Sequence, residues 1–151
     1  MRRLLLACLT VALVGAFAGP AAAALRLEPG TVRLLTPEAQ PRDREPVFAA
    51  RAGAEYRFEV AYRVTGAPRI GTGHVFVFED AVTGERLDVR SKSFPPEPAG
   101  RYTESSNLRI PESWGPGLYR FRWTITARNP RLPSVRATGT RVFLVAGGAT
   151  D

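Results

Sequence analysis

The stretch GPGLYRFRWTITAR (residues 115–128) places Tyr119, Phe121, Trp123 and Ile125 on one parity and Arg120, Arg122, Thr124 and Thr126 on the other. A period of two is the signature of a β-strand with one apolar face. The ringed face belongs to a core. The opposite face poses the functional question, because it is either ordinary wet surface or a binding surface built around Arg120 and Arg122.

Period-two segments recur outward from that stretch. In EYRFEVAYRV (55–64), Tyr56, Phe58, Val60, Tyr62 and Val64 share one face, and Glu55, Arg57, Glu59 and Arg63 share the other. Further strands are expected at 24–27, 31–35, 46–50, 74–80, 85–94, 102–110 and 139–145, separated by Gly and Pro. The T-G pair at Thr83 and Gly84 marks a hairpin. The polar, proline-bearing run TPEAQPRDREP (36–46) reads as a surface loop, and AGGATD (146–151) as a tail without structure. Helical periodicity is nearly absent after the N-terminus, which indicates an all-β domain.

The first residues, MRRLLLACLTVALVGAFAGPAAAA, run from Arg2 and Arg3 through an apolar core to Gly19, Pro20 and a set of alanines. That three-part layout predicts a secretory signal peptide over 1–24 with an A-x-A cleavage site. The apolar run is shorter than the ~20 residues a spanning helix needs. Nothing later in the chain is apolar for long enough to span a membrane. Cys8 follows LLA in lipobox fashion, yet too few residues precede it for an export signal with its own apolar core. Its loss with the signal leaves no thiol for disulfide, nucleophile or metal.

Cleavage removes Arg2 and Arg3 and no acid, taking the formal net charge from +7 to +5. The cations are arginines apart from Lys92. A mildly basic exported chain can approach anionic lipid or polysaccharide. Nucleic acid is excluded by compartment and by the lack of a binding motif. About 127 remaining residues make one domain (25–145), large enough to close a core without disulfide or metal.

Gly117, Tyr119 and Phe121 form a G-x-Y-x-Φ arrangement just after a strand ending LRIP (108–111). This resembles the tyrosine corner of immunoglobulin-like sandwiches, in which the ring hydroxyl anchors the turn before its strand. Over 48–145 the pattern is similar to bacterial periplasmic immunoglobulin-like modules, without the cysteine pair and strand C tryptophan of antibody-type domains. The resemblance implies an antiparallel β-sandwich of about seven to nine strands with no disulfide. It also implies an accessory, adhesive or assembly role.

Catalytic and metal chemistry find little to stand on. His74 is the one histidine, and no G-x-S-x-G accompanies it; a turn or pocket-rim position is expected for it. Copper or zinc would need several His or Met ligands, and the mature chain has no methionine. Calcium needs clustered oxygens; Glu79, Asp80, Glu85 and Asp88 flank one hairpin but match no EF-hand loop. A two-carboxylate glycosidase would need two acids, for example Asp80 and Glu104, to face each other across a cleft. The expectation is no enzyme, no metal and no cofactor.

The candidate partner-binding residues are Phe76, Phe78, Trp114, Arg120, Arg122 and Arg141. The strand at 74–80 is apolar on both parities, with Val75 and Val77 against Phe76 and Phe78. Either residues 24–46 cover its outer face, or Phe76 and Phe78 stand exposed beside Arg120, Arg122 and Arg141 as a protein-binding patch. Trp114, in SWGPG, is either a contact residue or a plug at the end of the domain. The leading expectation is a non-catalytic, periplasmic or secreted domain that binds another cell-envelope protein. The alternative is a carbohydrate- or anionic-envelope-binding module, stacking a sugar on Trp114 and holding an anionic glycan or lipid with arginines. A third reading, a subunit that completes its sheet with a partner's strand, fits poorly with so full a strand complement.

Overall fold

A computed structural model describes residues 24–36 and 49–147. The expected signal peptide with Cys8, most of the 36–46 loop and the end of the tail lie outside the described residues. Eight strands and no helix are found among those described: β1 (Arg26–Leu35), β2 (Ala49–Arg51), β3 (Glu55–Thr65), β4 (Gly71–Asp80), β5 (Arg86–Ser93), β6 (Gly100–Arg109), β7 (Gly117–Asn129) and β8 (Leu132–Ala146). The two short segments expected at 24–27 and 31–35 are one strand. It carries a bulge, because the register steps from Pro29↔Tyr62 to Val32↔Val60 and leaves Gly30 and Thr31 opposite Ala61.

The strands form two sheets, in the orders β1-β3-β6 and β2-β8-β7-β4-β5. All pairings are antiparallel except the short β2–β8 contact, which is parallel. The alternation of β3 and β7 turns one face of each sheet toward the other. Phe58 of β3 meets Phe78 at 4.7 Å, Phe121 at 5.1 Å and Phe143 at 5.4 Å between ring centroids, while Phe76 packs edge-on against Phe121 at 5.0 Å. These are the offset and edge geometries that aromatic quadrupoles favour. Each of these rings is at most 3 % exposed.

Three local devices hold this arrangement. The Tyr119 hydroxyl donates to the Gly115 carbonyl at 2.8 Å, tying the start of β7 to the turn before it. Gly84 closes the β4–β5 hairpin at φ 74°, a left-handed conformation that suits glycine. Gly139, in direct register with Trp123, makes room for the indole; a Cβ there would lie 2.4 Å from Trp123 Cζ2.

That last contact is testable. Gly139→Ala must push the indole or the β8 backbone out of place, so it is expected to destabilise the domain by about 1–3 kcal/mol in chemical denaturation. Adding Trp123→Phe, which withdraws the ring atoms in contact, is expected to recover part of that loss. Unchanged stability for Gly139→Ala alone would contradict the close fit.

Candidate functional site

Cross-strand register decides what faces outward on the larger sheet. Phe76 pairs with Trp123 and Phe78 with Phe121, so both phenylalanines share the ringed face of β7 and are fully buried. This corrects the expectation that they stand beside the arginines or beneath an N-terminal cover: they are inter-sheet core. The outward residues of β4 are Val75, Val77 and Glu79. Arg141 is displaced by the same logic, because it pairs with Phe121 and starts from the inner face. Its guanidinium donates to the Val32 carbonyl at the edge of the other sheet, bridging β8 to β1. Trp114 is buried as well, stacked on Tyr119 at 5.0 Å with 12° between the rings. It plugs the end of the core and offers no open face to a sugar.

Arg120 and Arg122 do project outward, as their parity requires, and they are not free. Between them lies Glu79, one of the four acids that flank the hairpin in sequence. Its carboxylate accepts from Arg122 Nη2 and lies 3.8 Å from Arg120 Nη1. Arg120 also donates to the Ala81 carbonyl at 3.2 Å. Glu79 is only 4 % exposed although it sits on the outer face of a sheet. Two guanidiniums and one carboxylate leave the cluster with a surplus positive charge and with donors still facing solvent.

Aliphatic side chains flank this ionic centre. Leu118 pairs with Leu144, and Val142 pairs with Arg120, forming one group on β7 and β8. Val77 pairs with Val89, and Val75 lies two residues along on the same face, forming a second group on β4 and β5. Among the described residues, the large apolar side chains left exposed are Val75, Val82, Val89, Leu118, Val142 and Leu144. All belong to the larger sheet or its β4–β5 hairpin. The outer face of the smaller sheet instead carries Glu55, Arg57, Glu59 and Arg63 on β3, with Thr103, Ser105 and Asn107 on β6. There Arg57 pairs with Glu59 at 2.9 Å and donates to Ser105 Oγ at 3.0 Å.

The remaining titratable groups are spent separately. Asp80 accepts from the amides of Val82 at 2.7 Å and Thr83 at 2.8 Å, and those bonds, Thr83's first, hold its carboxyl below the ordinary 3.8. Asp88 pairs with Arg90 at 2.8 Å. With Glu79 under its arginines, the acids around the hairpin do not converge, and among the described residues no group of three or more ligating side chains could hold a metal. His74 is not at a rim: it is buried, stacked on Phe76 at 4.2 Å, with Nδ1 3.3 Å from Glu104 Oε2 but off the hydrogen-bond direction. Glu104 accepts from the Tyr62 hydroxyl at 2.8 Å. Burial, reinforced by Glu104, raises the Tyr62 hydroxyl well above the ordinary phenol range. Glu104 thus lies inside the core and Asp80 at a hairpin tip, so these two acids do not face one another across a cleft.

Comparison with known proteins adds little to this geometry. No protein-family model and no curated protein matches the chain. Among solved structures it is similar to Northeast Structural Genomics Consortium target SoR45, at 14% sequence identity over 85% of this chain and 91% of that one, with a TM-score of 0.37. A likeness at that level carries no argument about function.

Two outcomes follow from the side-chain placement. Glu79→Gln leaves two guanidiniums side by side without their carboxylate; allowing for their partial exposure, it is expected to destabilise the domain by about 1–2 kcal/mol at low salt. The loss should shrink in about 1 M salt, where screening relieves the repulsion; a salt-independent loss would point to packing instead. Asp80 has a lowered native pKa, so its carboxylate stabilises the fold above 3.8 and that contribution disappears as pH falls below 3.8 through the native value. The melting difference between wild type and Asp80→Ala should therefore be full at about pH 6 and contract steadily below 3.8. A difference that does not change with pH would rule out the carboxylate as its source.

Proposed function

We propose that this chain is an exported, non-catalytic immunoglobulin-like domain that binds another protein of the bacterial cell envelope through the outer face of its five-stranded sheet. The observation that carries the reading is the segregation of exposed apolar side chains. Leu118, Val142 and Leu144 on one side, and Val75 and Val89 on the other, flank Arg120, Glu79 and Arg122, while among the described residues the smaller sheet exposes no large apolar side chain. Aliphatic flanks exclude water from a centre whose arginines retain spare donors, and contact surfaces are built in this way. A surplus positive charge at that centre fits a partner that presents a carboxylate.

The immunoglobulin-like class is supported by strand order. With β1 and β2 taken as A and A′, the sheets read A-B-E and A′-G-F-C-C′, and the Tyr119 hydroxyl bond occupies the position of the tyrosine corner. Export rests on the signal-like first 24 residues. The carbohydrate reading loses its aromatic platform now that Trp114 is buried.

The test is capture from the organism's own envelope extract by the mature protein, compared with Leu118→Glu/Leu144→Glu, with Arg120→Glu/Arg122→Glu, and with Asn107→Lys on the opposite sheet. One discrete protein is expected to be lost by roughly tenfold or more from both outer-face variants and retained by Asn107→Lys. That protein, once purified, should bind the wild-type domain directly. Equal recovery by all four would return the face to ordinary surface.

A further inference from the structure

We propose that a groove on the outer face of the three-stranded sheet binds an oxyanion, a phosphate or sulfate group either free or carried on a small polar body, between the guanidiniums of Arg63 and Arg101. The site is independent of the face discussed above, on the opposite side of the molecule.

Its shape comes from the β1 bulge. Gly30 and Thr31 stand opposite the single small residue Ala61, and the backbones approach closely there, since a Cβ at Gly30 would lie 3.0 Å from the Ala61 carbonyl oxygen. The result is a groove of ≈ 480 Å³ whose wall includes Pro29, Thr31, Ala61 and Thr103. That volume lies in the range of small-molecule sites. The lining mixes the Thr31 and Thr103 hydroxyls with Pro29, Ala61 and Tyr102, beside the charged Glu28, Arg63 and Arg101.

Its charge comes from register. Glu28, Arg63 and Arg101 form one row across β1, β3 and β6, with Arg63 and Arg101 directly opposite each other on an antiparallel pair. Like charges in that position destabilise a sheet. Arg57 has Glu59, Arg90 has Asp88, and Arg120 and Arg122 share Glu79. Among the described residues neither Arg63 nor Arg101 makes an ion pair or side-chain hydrogen bond, and Glu28, though in register with Arg63, does not close onto it. Arg26, two residues along the same face of β1, adds a third cation to the corner. Both residues line the one groove, and guanidinium forks suit a tetrahedral oxyanion, which can accept from two of them. An anion there converts a repulsive pair into two charge-assisted contacts.

The experiment uses the mature protein with three probes: inorganic phosphate, glucose 1-phosphate, and glucose as the uncharged control, at matched ionic strength in chloride. Titration calorimetry is expected to show saturable binding of the phosphorylated probes and none of glucose. Arg63→Gln/Arg101→Gln should weaken that binding by about tenfold or more, because two charge-assisted contacts are lost. Arg109→Gln, on the same face at the other end of β6, should leave it unchanged, and Glu28→Gln should tighten it. Equal binding of phosphate and glucose 1-phosphate assigns a site for the free anion; tighter binding of the ester assigns one for the carried group. Both outcomes uphold the proposal. Without anion, the double variant should melt at or above the wild-type temperature, since a like-charge pair has been removed. A lower melting temperature would make these arginines structural. Either that result, equal affinity in wild type and double variant, or no saturation of the wild type by about 10 mM ester, overturns the proposal.

Discussion

Phe121 holds the two sheets in register with each other. Its ring meets Phe58 across the interface and Phe76 and Phe78 beside it, all within 5.2 Å between centroids. Because strand side chains alternate with a period of two, fixing Phe121 inward fixes every other residue of β7. Arg120 and Arg122 must face out, Trp123 must face in, and the partners of β7 inherit the same parity through direct pairing. A slip of one residue would bury both arginines and expose three rings and Ile125. The aromatic cluster therefore sets the location of the charged surface as firmly as it sets the core.

The core is not wholly apolar. Glu104 lies between the sheets with the Tyr62 hydroxyl on one oxygen and His74 near the other, and His74 lies flat against Phe76. A buried carboxylate is costly unless its lone pairs are satisfied, and here the contacts come from both sheets: β3 supplies Tyr62, β4 supplies His74. Such a cluster adds little net stability compared with an apolar packing of the same volume, but it tolerates one relative placement of β3, β4 and β6. The Arg141 contact with the Val32 carbonyl plays a similar part at the opposite margin, where β8 passes β1. Between them, these polar ties span the two sides of the interface that the phenylalanines fill.

Much of this was legible in the sequence. Most strands fall on its expected segments, though 24–27 and 31–35 are one strand and β2 is described over Ala49–Arg51 where 46–50 was expected; the T-G hairpin is where Thr83 and Gly84 put it, and the Tyr119 hydroxyl bond was readable from G-x-Y-x-Φ. The candidate site was legible only for Arg120 and Arg122, whose strand has one apolar face. On β4 both parities are apolar, so periodicity gives no inside, and Phe76 and Phe78 were assigned outward in error; the larger rings pairing with Phe121 and Trp123 was the available signal. Arg141 was misplaced because its parity follows from the pairing register with β7, which is a tertiary property. The role of Glu79 was missed for a related reason. In sequence it sits beside Asp80 at a hairpin, and only cross-strand register with Arg120 shows that it lies beneath two guanidiniums. Trp114 was left open between surface and plug, and the stack on Tyr119 decides it.

The arginines of this chain divide by what their registers give them. On the five-stranded sheet, Glu79 neutralises one charge of two and is itself almost inaccessible, so Arg120 and Arg122 are held in place before any partner arrives. On the contact surface we propose, such preorganised donors would lose little side-chain entropy on binding, with aliphatic groups on both flanks. On the three-stranded sheet, Arg63 and Arg101 have no such carboxylate between them. The same residue type thus serves two different surfaces, and the difference lies in the neighbour across the strand. A carboxylate between the first pair fixes both guanidiniums in place, whereas in the second row Glu28 stands outside the pair and the two like charges face each other directly.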